Sequence, residues 1–89
     1  MNNLVSMVRF GYTLRKNKES EELHLFRGIK KTDRCNPDEE ALCGAVGFED
    51  TEAIQNFVCL DEESTRIEAA KIGRKVCSNC IKTFYATYN

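Results

Sequence analysis

Tryptophan is absent from this chain of 89 residues, which also holds a single proline, a single histidine and five glycines. So little proline and glycine leaves no room for a long flexible linker. Long hydrophobic runs are missing too: the N-terminal stretch "MNNLVSMVRF" is cut by Arg9. A secretory core needs about 7–15 unbroken apolar residues and a membrane span about 20. The expectation is a soluble, cytoplasmic protein. Between residues 35 and 65 there is no lysine or arginine at all.

What is present is a globular composition. Apolar residues make up 42% of the chain, and eight phenylalanines and tyrosines supply bulk for a core. That argues against wholesale disorder. The length suits one domain, residues 1–89, whose core is small enough to benefit from a staple.

Five cysteines stand at 35, 43, 59, 77 and 80. An odd number cannot be fully paired within one chain, and in a reducing compartment spaced cysteines read as metal ligands or catalytic groups. The segment "RKVCSNCIKTF" holds Cys77 and Cys80 three positions apart. A redox pair of this kind belongs early in a thioredoxin-like unit, and too little chain follows to build one. Metal binding is the stronger reading.

A structural zinc ion takes four thiolate or imidazole ligands in a tetrahedron. His24 in "EELHLFRG" and Cys43 in "EEALCGAVG" complete a Cys₃His set with Cys77 and Cys80. Gly44 suits the sharp turn beside a ligand. The intervening gaps are about 18, 33 and 2 residues, so one ion would clip the beginning, middle and end of the fold together. Cys35 or Cys59 could instead replace His24 or Cys43. Cys59, in "NFVCLDE", sits between apolar neighbours and reads as a buried core thiol. With the histidine used as a ligand no Cys–His or Ser–His pair remains, and the His-x-Glu…Pro-Cys-x-x-Cys pattern of zinc deaminases is absent. The protein is expected not to be an enzyme.

Alternation through Leu4, Ser6, Val8, Phe10, Tyr12 and Leu14, all but Ser6 apolar or aromatic, predicts a strand, "RKNKES" a turn, and "EELHLFRGI" a second strand carrying His24 opposite the face of Leu23 and Leu25. The stretch "CNPDEEALCG" has a capping Asn36, Pro37 and three acids, and predicts a short helix ended by Gly44. Residues 50–60 read either as a short helix capped by Asp50 or as a strand in the later half. "DEESTRIEAAKIG" predicts a helix stopped by Gly73. After Cys77, the positions Ile81, Phe84, Tyr85 and Tyr88 form one helical stripe. The fold class is therefore α+β: an N-terminal β-hairpin, short helices, and a zinc knuckle leading into a C-terminal helix.

The net charge of −1 conceals segregation. Residues 1–34 and 66–89 each carry a surplus of basic groups, while 35–65 carry nine acids and no base. Glu49, Asp50, Glu52, Asp61, Glu62 and Glu63 offer a negative surface for a basic groove on a partner, where complementary fields speed encounter. A sequence pI near 5.8 argues against direct nucleic-acid binding, although Arg27, Lys30, Lys31, Arg34, Arg74 and Lys75 could form a local patch.

The combination "LHLFRG…EALCG…KVCSNCIKTF" resembles small phage and mobile-element zinc-binding proteins with an early His, a Leu-Cys-Gly and a late Cys-x-x-Cys. That resemblance implies a zinc ion held by His24, Cys43, Cys77 and Cys80. Cys35, Cys59 and the long acidic insertion between Cys43 and Cys77 are departures from the outline. In size and charge the chain is also similar to anti-CRISPR proteins, which bind an RNA-guided nuclease and obstruct nucleic-acid engagement or activation; the chain itself is expected to be a monomer. The alternatives are a zinc-knuckle nucleic-acid binder and a small phage structural or adaptor protein.

Overall fold

Alternating apolar residues on either side of a polar turn build the centre of the structure. The computed structural model describes residues 9–31 and 35–88, except the side chains of 87 and 88. Strand β1 (Phe10–Asn17) and strand β2 (Leu23–Lys30) pair antiparallel, with Leu14 opposite Leu25 and Arg15 opposite His24. The part of the predicted first strand that carries Leu4, Ser6 and Val8 lies outside the described residues.

The turn falls later than the polar run "RKNKES" suggested. Arg15, Lys16 and Asn17 are strand residues, because strand β4 (Thr51–Ala53) pairs alongside them. Asn17 makes the turn itself: its Oδ1 accepts from the N–H groups of Glu19 and Ser20, at 2.8 and 3.2 Å.

The segment expected to be a helix from Pro37 to Cys43 is not one. Strand β3 (Cys35–Pro37) pairs with the end of β2, and the chain then loops to a bridge between Glu40 and Gly47. Its N–H groups are claimed elsewhere: Asp38 donates to Arg27 O and Leu42 to Leu25 O, both at 2.8 Å. Tertiary hydrogen bonds outweigh a helix-start signal worth only about 1 kcal/mol. Gly28 permits this docking, since a Cβ there would strike the backbone carbonyl of Asn36. Residues 50–60 also differ from both expectations: a 3₁₀ turn at Phe48–Asp50 leads into β4, in the early half, and turns follow.

The sheet order is β3-β2-β1-β4. Helix α1 (Glu62–Ile72) starts where expected: the Asp61 side chain accepts from Ser64 N–H at 2.7 Å, and Gly73 ends it at φ 81°. Helix α2 (Ser78–Tyr88) begins inside the Cys-x-x-Cys pair. The fold is thus a small α+β domain with a curled antiparallel sheet and a C-terminal helix. Its core joins Tyr12, Leu14 and Leu25 of the hairpin to Phe57, Val76 and Phe84. Tyr12 and Phe84 meet edge to face, with ring centres 5.0 Å apart, a geometry that adds about 0.5–1.5 kcal/mol to area burial. The buried stripe of α2 is Cys80 and Phe84, with Ile81 half-buried. Tyr85 is largely exposed, and the side chain of Tyr88 is outside the described residues.

Among the described residues, no helix is long and apolar enough to cross a membrane.

Candidate metal centre

Strand β3 covers only Gly28–Lys30 of β2. The outer edge of β2 from Leu23 to Arg27 is therefore left for other segments, and two of them dock there. From one side come residues 38–46, through the hydrogen bonds of Asp38 and Leu42. From the other comes the start of α2: Cys77 N–H donates to Leu23 O at 2.7 Å, and Val76 bridges to Leu23. An unpaired strand edge must have its polar groups satisfied when buried. Satisfying it brings Cys43, Cys77 and Cys80 to the same strand that carries His24.

The four donors converge. One ligand atom from each of His24, Cys43, Cys77 and Cys80 lies within 4.8 Å of all the others. His24 Nδ1 is 3.6 Å from Cys43 Sγ and 3.7 Å from Cys80 Sγ. A tetrahedral ion with metal–sulfur bonds of about 2.3 Å and metal–nitrogen bonds of about 2.0–2.1 Å sets N···S near 3.6 Å and S···S near 3.8 Å. The residues are close enough to hold one metal ion, and the nitrogen–sulfur spacings are those such an ion requires.

Local structure fixes each donor. Cys43 sits in a tight turn in which Gly44 has φ 77° and Ala45 N–H points at Cys43 Sγ from 3.5 Å. Cys77 and Cys80 straddle the first turn of α2, where positions i and i+3 share a face and the positive end of the helix dipole favours thiolates. Leu25 N–H, from the β2 edge, reaches Cys80 Sγ at 3.4 Å.

His24 is 3% exposed. Its Nδ1 faces the sulfurs, and its Nε2 is a buried polar atom without a hydrogen bond. Nε2 does lie 3.3 Å from Glu22 Oε1, within ion-pair range but out of hydrogen-bond alignment. A metal-bound histidine commonly gives its second N–H to a carboxylate, which fixes tautomer and ring orientation. Glu22 is placed for that task by a small adjustment of its half-exposed side chain. The sequence reading missed it, although Glu22 stands two residues before His24 in the expected second strand, a spacing that puts two side chains on one face; in the structure it immediately precedes β2.

Burial is the main reason the Cys80 thiol is pushed up to about 12; N–H groups of Leu25 and Cys43 partly offset this, and the neighbouring Cys43 and Cys77 add to it. Burial thus keeps the Cys80 thiol protonated in the absence of a cation, and a bound cation would reverse that preference and expel the proton.

Cys35 and Cys59 are not part of the cluster. They form a disulfide with Cα atoms 5.7 Å apart, so neither substitutes for His24 or Cys43. Cys59 is correspondingly not a buried core thiol. It is half-buried, in a turn at φ 58°, because its partner lies on the neighbouring β3 rather than in the core.

The acids singled out from the sequence are dispersed. Glu49 and Asp50 line one groove of about 490 Å³ together with Asp38, Glu39 and Glu40. Glu52 instead pairs with Lys16 at 3.5 Å, and Glu63 with Arg66 at 2.7 Å. Asp61 is spent on capping α1, and with Glu62 it lines a separate hollow beside Arg9 and Lys30. Folding thus replaces the run 49–63 by a groove made from 38–40 and 49–50.

Comparison with known proteins gives no match: no family model, curated protein or solved structure aligns with this chain.

Proposed function

We propose that the chain is a zinc-stabilised, protein-binding inhibitor of the phage type, directed at an RNA-guided CRISPR nuclease. The observation that carries the reading is the closed donor set of His24, Cys43, Cys77 and Cys80 at the β2 edge. Three thiolates and an imidazole favour zinc among the common ions. Four protein ligands leave no open position for substrate, so the ion's role is structural and the working part of the molecule is its surface. The acidic groove of Asp38, Glu39, Glu40, Glu49 and Asp50 is the feature suited to the Lys/Arg-rich channels of a nucleic-acid-binding partner. The outline His24…Leu42-Cys43-Gly44…Cys77-x-x-Cys80 supports the phage-type origin.

Two measurements test this. Native mass spectrometry with and without a chelator should show one zinc per monomer, lost in Cys→Ser variants of Cys43, Cys77 and Cys80 and in His24→Ala. Co-purification with a purified CRISPR nuclease should fall at least tenfold when the five groove acids are changed to lysine, while Glu62→Lys/Glu63→Lys should change it little. Undiminished binding after reversal of the groove would overturn the assignment of the surface.

A second reading, direct nucleic-acid binding through Arg27, Lys30, Lys31, Arg74 and Lys75, with Arg34 outside the described residues, is favoured by one contact. The Arg27 guanidinium stacks 4.7 Å from the ring centre of Phe10, which is 37% exposed, and exposed aromatics beside cations can stack bases. Tight, salt-sensitive mobility shifts with DNA or RNA would select this reading over the inhibitor.

A further inference from the structure

A second groove, of about 640 Å³, has the Cys35–Cys59 disulfide in its wall, flanked by Arg15, Lys30 and Lys31 and by the ring of Phe48. None of the four metal-binding side chains lines it. Both cysteines are half-buried, so the disulfide is reachable from the groove.

The surroundings are arranged around the two sulfurs. Gly11 of β1 lies directly beneath them, and a Cβ at that position would collide with both. Cys59 is held in the left-handed region at φ 58°, a conformation that costs a non-glycine residue roughly 1 kcal/mol or more. Its N–H is anchored to the buried Thr13 Oγ1 at 3.0 Å. The Arg15 guanidinium is fixed in turn by bonds to Thr51 Oγ1 and O, at 2.7 and 2.9 Å, and by stacking 3.8 Å from the ring centre of Phe48. Lys30 and Lys31 are exposed, and Lys30 also borders the neighbouring hollow that holds Asp61 and Glu62.

Positive charge beside a disulfide has two effects on thiol exchange. It concentrates an anionic thiolate at the sulfur, and it stabilises the thiolate that leaves. We propose that Cys35–Cys59 is a thiol-exchangeable disulfide, and that the cationic groove beside it admits a small anionic thiol of the glutathione type. The incoming thiolate attacks one sulfur, forming a mixed disulfide and breaking the Cys35–Cys59 bond, and the other cysteine departs as a thiolate. A second molecule attacks the mixed disulfide. Two protein thiols and one oxidised thiol dimer result, and the two electrons come from the small thiol. Opening the bond unties β3 from the turn at residues 57–60, without touching the metal donors.

The test uses the full, zinc-loaded chain and two probes, glutathione (anionic) and cysteamine (cationic). Mass spectrometry of the Cys35 and Cys59 peptides follows disulfide opening, with rates normalised to thiolate concentration. In Lys30→Glu/Lys31→Glu the ratio of glutathione to cysteamine rates should drop about tenfold, and in the native chain that ratio should fall with added salt. Should the double reversal unfold the protein, Lys30→Gln/Lys31→Gln together with the salt dependence reads the same quantity. An unchanged ratio, a disulfide that glutathione leaves intact in the folded chain, or free thiols at both positions after air oxidation would each overturn the proposal.

Discussion

His24 Nδ1 lies 3.7 Å from Cys80 Sγ, although 56 residues separate them in the chain. Between them run most of the sheet and all of α1. A contact that closes so large a loop carries a high entropic cost, which an ion bridging the two side chains can offset. Structural zinc contributes on the order of 10 kcal/mol in zinc-finger peptides, against a net stability of roughly 5–15 kcal/mol for a domain. His24→Ala and Cys80→Ser are therefore expected to abolish cooperative thermal unfolding, and a strong chelator should do the same to the native chain. Circular dichroism melts paired with metal analysis check this.

Glu22→Ala is expected to weaken metal binding by about 10–100-fold while leaving the fold intact, since it removes only the partner of His24 Nε2. Glu22→Gln, which keeps an accepting oxygen, should lose much less. Competition with a chromophoric chelator measures both.

The pH dependence should change sign with metal. In the metal-free chain Cys80 is held at about 12 by burial, above an unfolded thiol value of about 8.5. That difference stabilises the metal-free fold below the lower value and is lost as pH rises through the higher one. In the loaded chain protons compete with the ion, so stability rises with pH through the acid and neutral range instead. Denaturant titrations at several pH values, with and without metal, read the two slopes.

Asp61→Ala should cost about 1 kcal/mol by removing the cap bond to Ser64 N–H, seen as a fall in Tm of roughly 4–8 °C for a domain of this size. Asp61→Asn, which can still cap, should change little.

Phe84→Ala removes a fully buried ring that packs against Tyr12, and should cost about 3–5 kcal/mol. Because Phe84 lies one turn beyond Cys80 on α2, metal affinity should fall with it. Parallel melts and chelator competition separate the two effects.

Much of the cluster of His24, Cys43, Cys77 and Cys80 was legible in the sequence because its signals are local. Cys-x-x-Cys, Cys43-Gly44 and the apolar alternation around His24 each depend on neighbours a few positions away. Helix α1 was readable for the same reason, with Asp61 and Gly73 marking its ends. The helix expected after Pro37 failed because its amides are taken by β2, a partner invisible to local propensity. The Cys35–Cys59 pairing was hidden likewise: Cys59 has apolar neighbours, but the backbone turns at φ 58° and sends its sulfur across to β3. The groove of 38–40 with 49–50 arises from a loop folding back through the Glu40–Gly47 bridge, which a count of acids along the chain does not reveal.

The covered rim of β2 also matters for solubility. Leu23 to Arg27 would present an open row of amides and carbonyls, with Leu25 and Phe26 among them, if the two segments seated there let go. Such a rim recruits strands from other molecules. Loss of an ion held by the four donors would therefore do more than loosen one molecule: it would uncover a template for aggregation, so such an ion would guard against self-association.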